Sequence, residues 1–81
     1  MKRAILSLVA VLSLSACNDS TVFTLYRNSV LSADARIHIA SFDARENESY
    51  NRENCELARD LFAKQPDVKA RFWCEKGRYR N

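Results

Sequence analysis

Apolar positions recur along this chain in five stretches, each with its own period. Residues 4–15 form an almost uninterrupted apolar and small-residue run behind Lys2 and Arg3. Residues 21–26 are rich in β-branched and aromatic side chains with partial alternation, which predicts a first strand. Residues 28–35 carry Asn, Ser and Asp and read as a connecting loop. Residues 36–42 alternate polar and apolar, with Ile37 and Ile39 on one face, which predicts a half-buried second strand. Residues 43–49 are polar and read as an exposed segment.

A helix is predicted over residues 52–65, with Asn51 as N-cap, Glu53 in the first turn, Tyr50 stapled onto Cys55, and Pro66 ending it. On a helical wheel Cys55, Ala58, Leu61 and Phe62 share one face with Leu57 at its border, and Glu56, Arg59, Asp60 and Ala63 occupy the other. A third strand is predicted over residues 68–74. Val68, Ala70, Phe72 and Cys74 face one way, and Lys69, Arg71 and Trp73 the other. Both Cys55 and Cys74 then point into the same core. The pattern predicts an α+β domain of β-β-α-β order, a mostly antiparallel three-stranded sheet with one covering helix.

Length and composition narrow the function classes. A chain of 81 residues allows one small domain over residues 21–81. With one Gly and one Pro there is no room for a glycine-rich phosphate loop or a proline-rich recognition segment. His38 is the lone histidine, too few ligands for a zinc site, and on the polar side of its strand it reads as a surface residue. Tyr26 and Tyr50 read as packing residues. Asp43, Glu46 and Glu48 cluster in a solvated segment, which supplies no desolvation to raise a catalytic pKa. The sequence therefore predicts no catalytic residue, no metal and no cofactor: not an enzyme.

Charge is distributed unevenly. Residues 67–81 hold five basic side chains against Asp67 and Glu75, whereas residues 34–60 hold four arginines against seven acids. The uncovered sheet face is the candidate working surface. It is expected to present Lys69, Arg71 and Trp73, extended by Lys76, Arg78, Tyr79 and Arg80 from the tail. The alternative is a solvated face on which the stems of Arg71 and Lys69 shield Trp73.

Residues 1–16 have the layout of a secretory signal: basic n-region, apolar h-region, small residues before a cleavage point. The run is too short to span a bilayer, which takes about 20 apolar residues. It closes with Leu14-Ser15-Ala16-Cys17, and these four residues resemble the lipobox of bacterial lipoproteins, an aliphatic residue and two small residues before a cysteine. The resemblance covers residues 1–17. It implies cleavage before Cys17, a diacylglycerol thioether (and palmitate-type acylation) on that residue, and residues 17–20 as anchor and short tether. Two or three acyl chains hold a protein stably where one does not. Asn18 after the lipidated position resembles outer-membrane sorting in enterobacterial lipoproteins and favours the outer over the inner membrane; Asp19 keeps inner-membrane retention open.

Lipidation would use one of three cysteines and leave Cys55 and Cys74 as an even pair in an oxidising, periplasm-facing compartment. A disulfide between them is expected to staple a domain too small to rely on its core alone, contributing about 3 kcal/mol in the chain-entropy model.

These expectations combine into a membrane-proximal binding module in the cell envelope. Three residues separate Cys17 from the expected first strand, about 10 Å when extended, so the domain would stay at its membrane. Candidate partners are a membrane protein, anionic lipid or peptidoglycan; an exported domain is no place for nucleic acid. In size and address the chain resembles the exclusion lipoproteins of plasmids and prophages. A structural envelope lipoprotein with no discrete partner is the alternative, and an enzyme inhibitor using residues 43–49 ranks lowest.

Overall fold

The β-branched and aromatic run that predicts the first strand becomes the middle of the sheet. The computed structural model describes residues 20–80, and the signal-like segment with Cys17 lies outside them. Four elements follow in order: β1 (Phe23–Ser29), β2 (Ser32–Phe42), α1 (Glu48–Ala63) and β3 (Phe72–Lys76). The strands form one sheet in the order β2-β1-β3, and β1 runs antiparallel to both neighbours. The domain is α+β, in the β-β-α-β order that the sequence predicts. Phe23 and Leu25 on β1 and Cys55 on α1 form the core, with Ile39, Ala40, Phe42, Ala58, Phe72 and Cys74 packed around them.

Residues 28–35 are not a loop. β1 continues to Ser29, only Val30 and Leu31 make the turn, and β2 begins at Ser32. The polar residues that signal a loop are spent on pairing: the Asn28 amide donates to the Arg71 carbonyl at 3.0 Å, and its side-chain oxygen accepts from the Arg71 amide at 2.7 Å. Ser29 Oγ accepts from the Leu31 amide and closes the turn.

A bulge sets which side chains of β2 reach which face. Leu25 pairs with Ala40 but Tyr26 pairs with His38, so Ile39 is the extra residue. Ile39 and Ala40 both pack against the core, and His38 and Ser41 come to share the outer face, with His38 Nε2 2.9 Å from Ser41 Oγ.

The helix starts four residues earlier than the sequence suggests. Asn47, not Asn51, is the N-cap, and its side-chain oxygen accepts from the Tyr50 amide at 2.9 Å. Asn51 is buried and ties three segments together. Its oxygen accepts from the Ala44 amide at 3.1 Å, and its nitrogen donates to the carbonyls of Thr21 at 2.7 Å and Ala44 at 3.2 Å. Glu48, rather than Glu53, is the acid of the first turn, and Tyr50 is exposed instead of stapled onto Cys55. The helix ends at Ala63 with Lys64 as C-cap, before Pro66, and Asp67 then takes a left-handed φ of 65°.

Against β3 the helix makes contacts at every seventh residue. Glu48 accepts from Lys76 at 3.2 Å, Cys55 is disulfide-bonded to Cys74 with Cα atoms 6.2 Å apart, and Phe62 stacks on Phe72 with centroids 5.4 Å apart. Two turns of helix present one face to alternate residues of a strand, so these three pairs fix α1 antiparallel to β3. The strand itself is Phe72–Lys76, shorter and later than residues 68–74. Residues 68–71 precede it, held near the helix end by the Val68 amide donating to Gln65.

Candidate functional site

The sheet face away from the helix carries a continuous group of aromatic and charged side chains. Tyr26 stands at its centre, 1% exposed, because its neighbours cover it from three sides. Trp73 on β3 lies beside it, with ring centroids 6.0 Å apart. Tyr79 leans over it at 6.2 Å and stacks on His38 at 4.5 Å with planes only 14° apart. The Arg36 guanidinium sits 4.2 Å above the Tyr26 ring, and that of Arg71 4.7 Å above Trp73, both in cation–π range.

One carboxylate organises this group. Arg36 donates to Glu75 from Nη2 at 2.8 Å and from Nε at 3.1 Å, and its Nη2 also donates to the Tyr26 hydroxyl at 3.0 Å. Trp73 Nε1 donates to the same carboxylate at 2.8 Å. The hydrogen bond from Arg36 is the main reason the Glu75 carboxyl stays below the usual carboxylate range. Partial burial opposes the shift, and the Trp73 hydrogen bond and the Arg36 charge reinforce it. Arg36 is raised in turn, chiefly by its hydrogen bond to Glu75. The pair is half-exposed, so its geometry orders the face more than it stabilises the fold.

The tail reaches this face through a turn at Gly77. Its φ of 112° is open to glycine and strained for any other residue, and its amide and carbonyl are held by Val22 and by Thr24 Oγ1, both at 2.7 Å. From there Tyr79 folds back onto His38, and Arg78 reaches Asp43 at 3.4 Å.

The structure brings some of the sequence-predicted surface together and disperses the rest. Arg71, Trp73 and Tyr79 belong to the outer face. Lys69 is exposed in the segment before β3 and not on the strand. Lys76 lies on the helix side, paired with Glu48. Arg78 pairs with Asp43, and Arg80 is exposed and engaged. Four residues at the centre of the face, Tyr26, Arg36, His38 and Glu75, lie outside the surface that the sequence predicts. Outward alternation from β2 signals Arg36 and His38; nothing local signals that Arg36 would cross the sheet to Glu75.

Among the described residues no group of three His, Cys, Asp or Glu could hold a metal ion, and no buried side-chain nitrogen or oxygen lacks a partner. No helix among them is long and apolar enough to cross a membrane. A shallow depression of about 320 Å³ lies between the end of β2 and the start of α1, lined by Phe42, Ala44, Tyr50 and Asn54 among others. Such a face can stack, pair with anions and hydrogen-bond a partner. Comparison with protein-family models, with curated proteins and with solved structures finds no match to this chain.

Proposed function

We propose that this chain is a lipid-anchored protein of the cell envelope that acts as a membrane-proximal binding module and carries no catalytic activity. The observation that carries the reading is Leu14-Ser15-Ala16-Cys17 at the end of a signal-like segment. The Cys55–Cys74 disulfide supports an oxidising compartment. In this reading the signal is removed before Cys17, acyl chains on that residue hold the protein at the outer membrane, and the domain faces the periplasm.

The binding surface is the outer sheet face, with Arg71, Trp73 and Tyr79 at its accessible border. Exposed rings beside guanidinium groups suit an anionic partner such as an acidic patch on a membrane protein or peptidoglycan. Glu75 is committed to Arg36 and Trp73, which argues for a structural role over proton transfer. Intact mass of protein purified from membranes tests the anchor: a chain beginning at an acylated Cys17 supports it, and an unacylated chain overturns it. Envelope crosslinking tests the module. A discrete adduct that Arg71→Glu abolishes is the expected result, and indifference to that change favours a structural lipoprotein with no discrete partner.

A further inference from the structure

The helix has apolar residues that the sheet leaves uncovered. Its contacts with β3 through Glu48, Cys55 and Phe62 set it toward one side of the sheet, and a second apolar line is left over. Tyr50, Leu57 and Leu61 fall within about 40° of one another on the helical wheel and are 49%, 58% and 57% exposed. Toward the end of the domain where Phe62 meets Phe72, the turn residues Val30 and Leu31 and the residue Val68 are exposed as well, Leu31 being 92% exposed. The hairpin turn and the helix end lie toward the same end of the domain, since Asn28 is bonded to Arg71 and Phe62 is stacked on Phe72. A turn of Val and Leu with no Gly or Asn is costly in water, and large apolar side chains gathered on one surface mark an interaction site.

Two features identify what covers it. The first is where the chain departs: Thr21 is bonded to Asn51, in the helical turn that carries Tyr50, so the apolar line begins beside the exit toward Cys17. Cys17 and Ser20 are three residues apart, at most about 11 Å. From Tyr50 to Leu61 the line runs about 16 Å along the helix. A domain held that closely brings this line to the bilayer by lying on its side. The second is charge. Lys64 and Lys69 follow Leu61 beyond the far end of the line, against Asp67, and neither has an ion-pair partner among the described residues; Glu53 and Asp60 flank the line within the helix, and Arg71 belongs to the Trp73 face. Lysines at the end of an exposed apolar line suit an anionic headgroup region, and the dependence on lipid charge comes from that end alone.

We propose that the domain lies on its side, with Tyr50, Leu57 and Leu61 seated in the headgroup region of a bilayer containing anionic lipid, and with the Trp73 face turned away from it. The inference rests on the lipid-anchor reading for its orientation, and its test separates the two. Full-length Leu61→Trp in a Trp73→Phe background is reconstituted into vesicles of brominated phosphatidylcholine and phosphatidylglycerol, beside the wild type with its single Trp73. At least twofold quenching of the Leu61→Trp signal, with Trp73 changing little, is the expected result. It should weaken when phosphatidylglycerol is omitted. Leu57→Trp in the same background gives a second reading, and thiols that stay unreactive without reductant verify the fold.

Acylated protein with no quenching at either new tryptophan overturns the docking and leaves the anchor standing. Quenching in a protein whose mass lacks acyl chains supports the docking and removes the anchor. Quenching of Trp73 in place of the new tryptophans, or a doubled mass by light scattering with the new tryptophans shielded before lipid is added, overturns the proposal in favour of the opposite face or of a second copy.

Discussion

Arg36 passes over the central strand to grip Glu75 two strands away, with both of its bonding nitrogens within 3.1 Å of the carboxylate. Glu75 has its folded pKa depressed, so the contribution of this grip is present above the unfolded carboxylate value of about 4.3 and is lost as pH falls through the folded value. Glu75→Gln should therefore lower Tm at pH 7, and the gap from wild type should narrow in acid. Melting curves of both proteins at pH 7 and at about pH 3 check this; a gap that widens in acid contradicts it.

The Cys55–Cys74 bridge joins residues 19 apart in sequence and closes a loop around the helix end and the start of β3. Replacing both cysteines by alanine should lower stability by about 2–4 kcal/mol. Urea unfolding of the double variant, set beside wild type with and without reductant, measures the loss. Equal midpoints would show that the bridge contributes nothing.

Two asparagines four residues apart do different work, and truncation separates them. Asn47→Ala removes a cap at the surface and should destabilise by about 1 kcal/mol. Asn51→Ala strips partners from the Ala44 amide and from the Thr21 and Ala44 carbonyls inside the fold, and should destabilise by about 2–3 kcal/mol or more. Denaturant midpoints that rank the two the other way would return the cap to Asn51.

Gly77→Ala meets no neighbouring atom, so its whole effect is backbone strain at φ 112°. The variant should be less stable by about 1 kcal/mol or more, and Tyr79 should lose its place on His38. The ring-current shift of the His38 protons in an NMR spectrum reports that contact directly, and an unchanged shift would mean that the tail finds His38 by another route.

The elements of this fold were legible wherever the period was strong. The alternation through Phe72, Trp73 and Cys74 placed the tryptophan outward and the thiol inward, as the structure has them. The helix was legible too, but its start was not, because Asn47 and Asn51 both offer a capping side chain and only the tertiary bonds of Asn51 decide between them. The hairpin was hidden because its turn is Val30-Leu31, with none of the residues that favour turns, and because Asn28 and Ser29 resemble loop residues until Arg71 arrives to pair with them. The candidate face was half legible. Arg71, Trp73 and Tyr79 follow from strand and tail, whereas the crossing of Arg36 to Glu75 joins residues 39 apart in sequence, and no local pattern encodes it.

The position of β1 between β2 and β3 has a consequence for how the domain is completed. Chains are made from the N-terminus, so the β1–β2 hairpin is available early with one long edge of its central strand unpaired. That edge stays open until residues 72–77 are delivered, and they arrive only after the helix whose Cys55 awaits Cys74. Closing the sheet and bringing Cys74 to Cys55 therefore depend on the same segment, and until it pairs the β1 edge is open to a neighbouring chain.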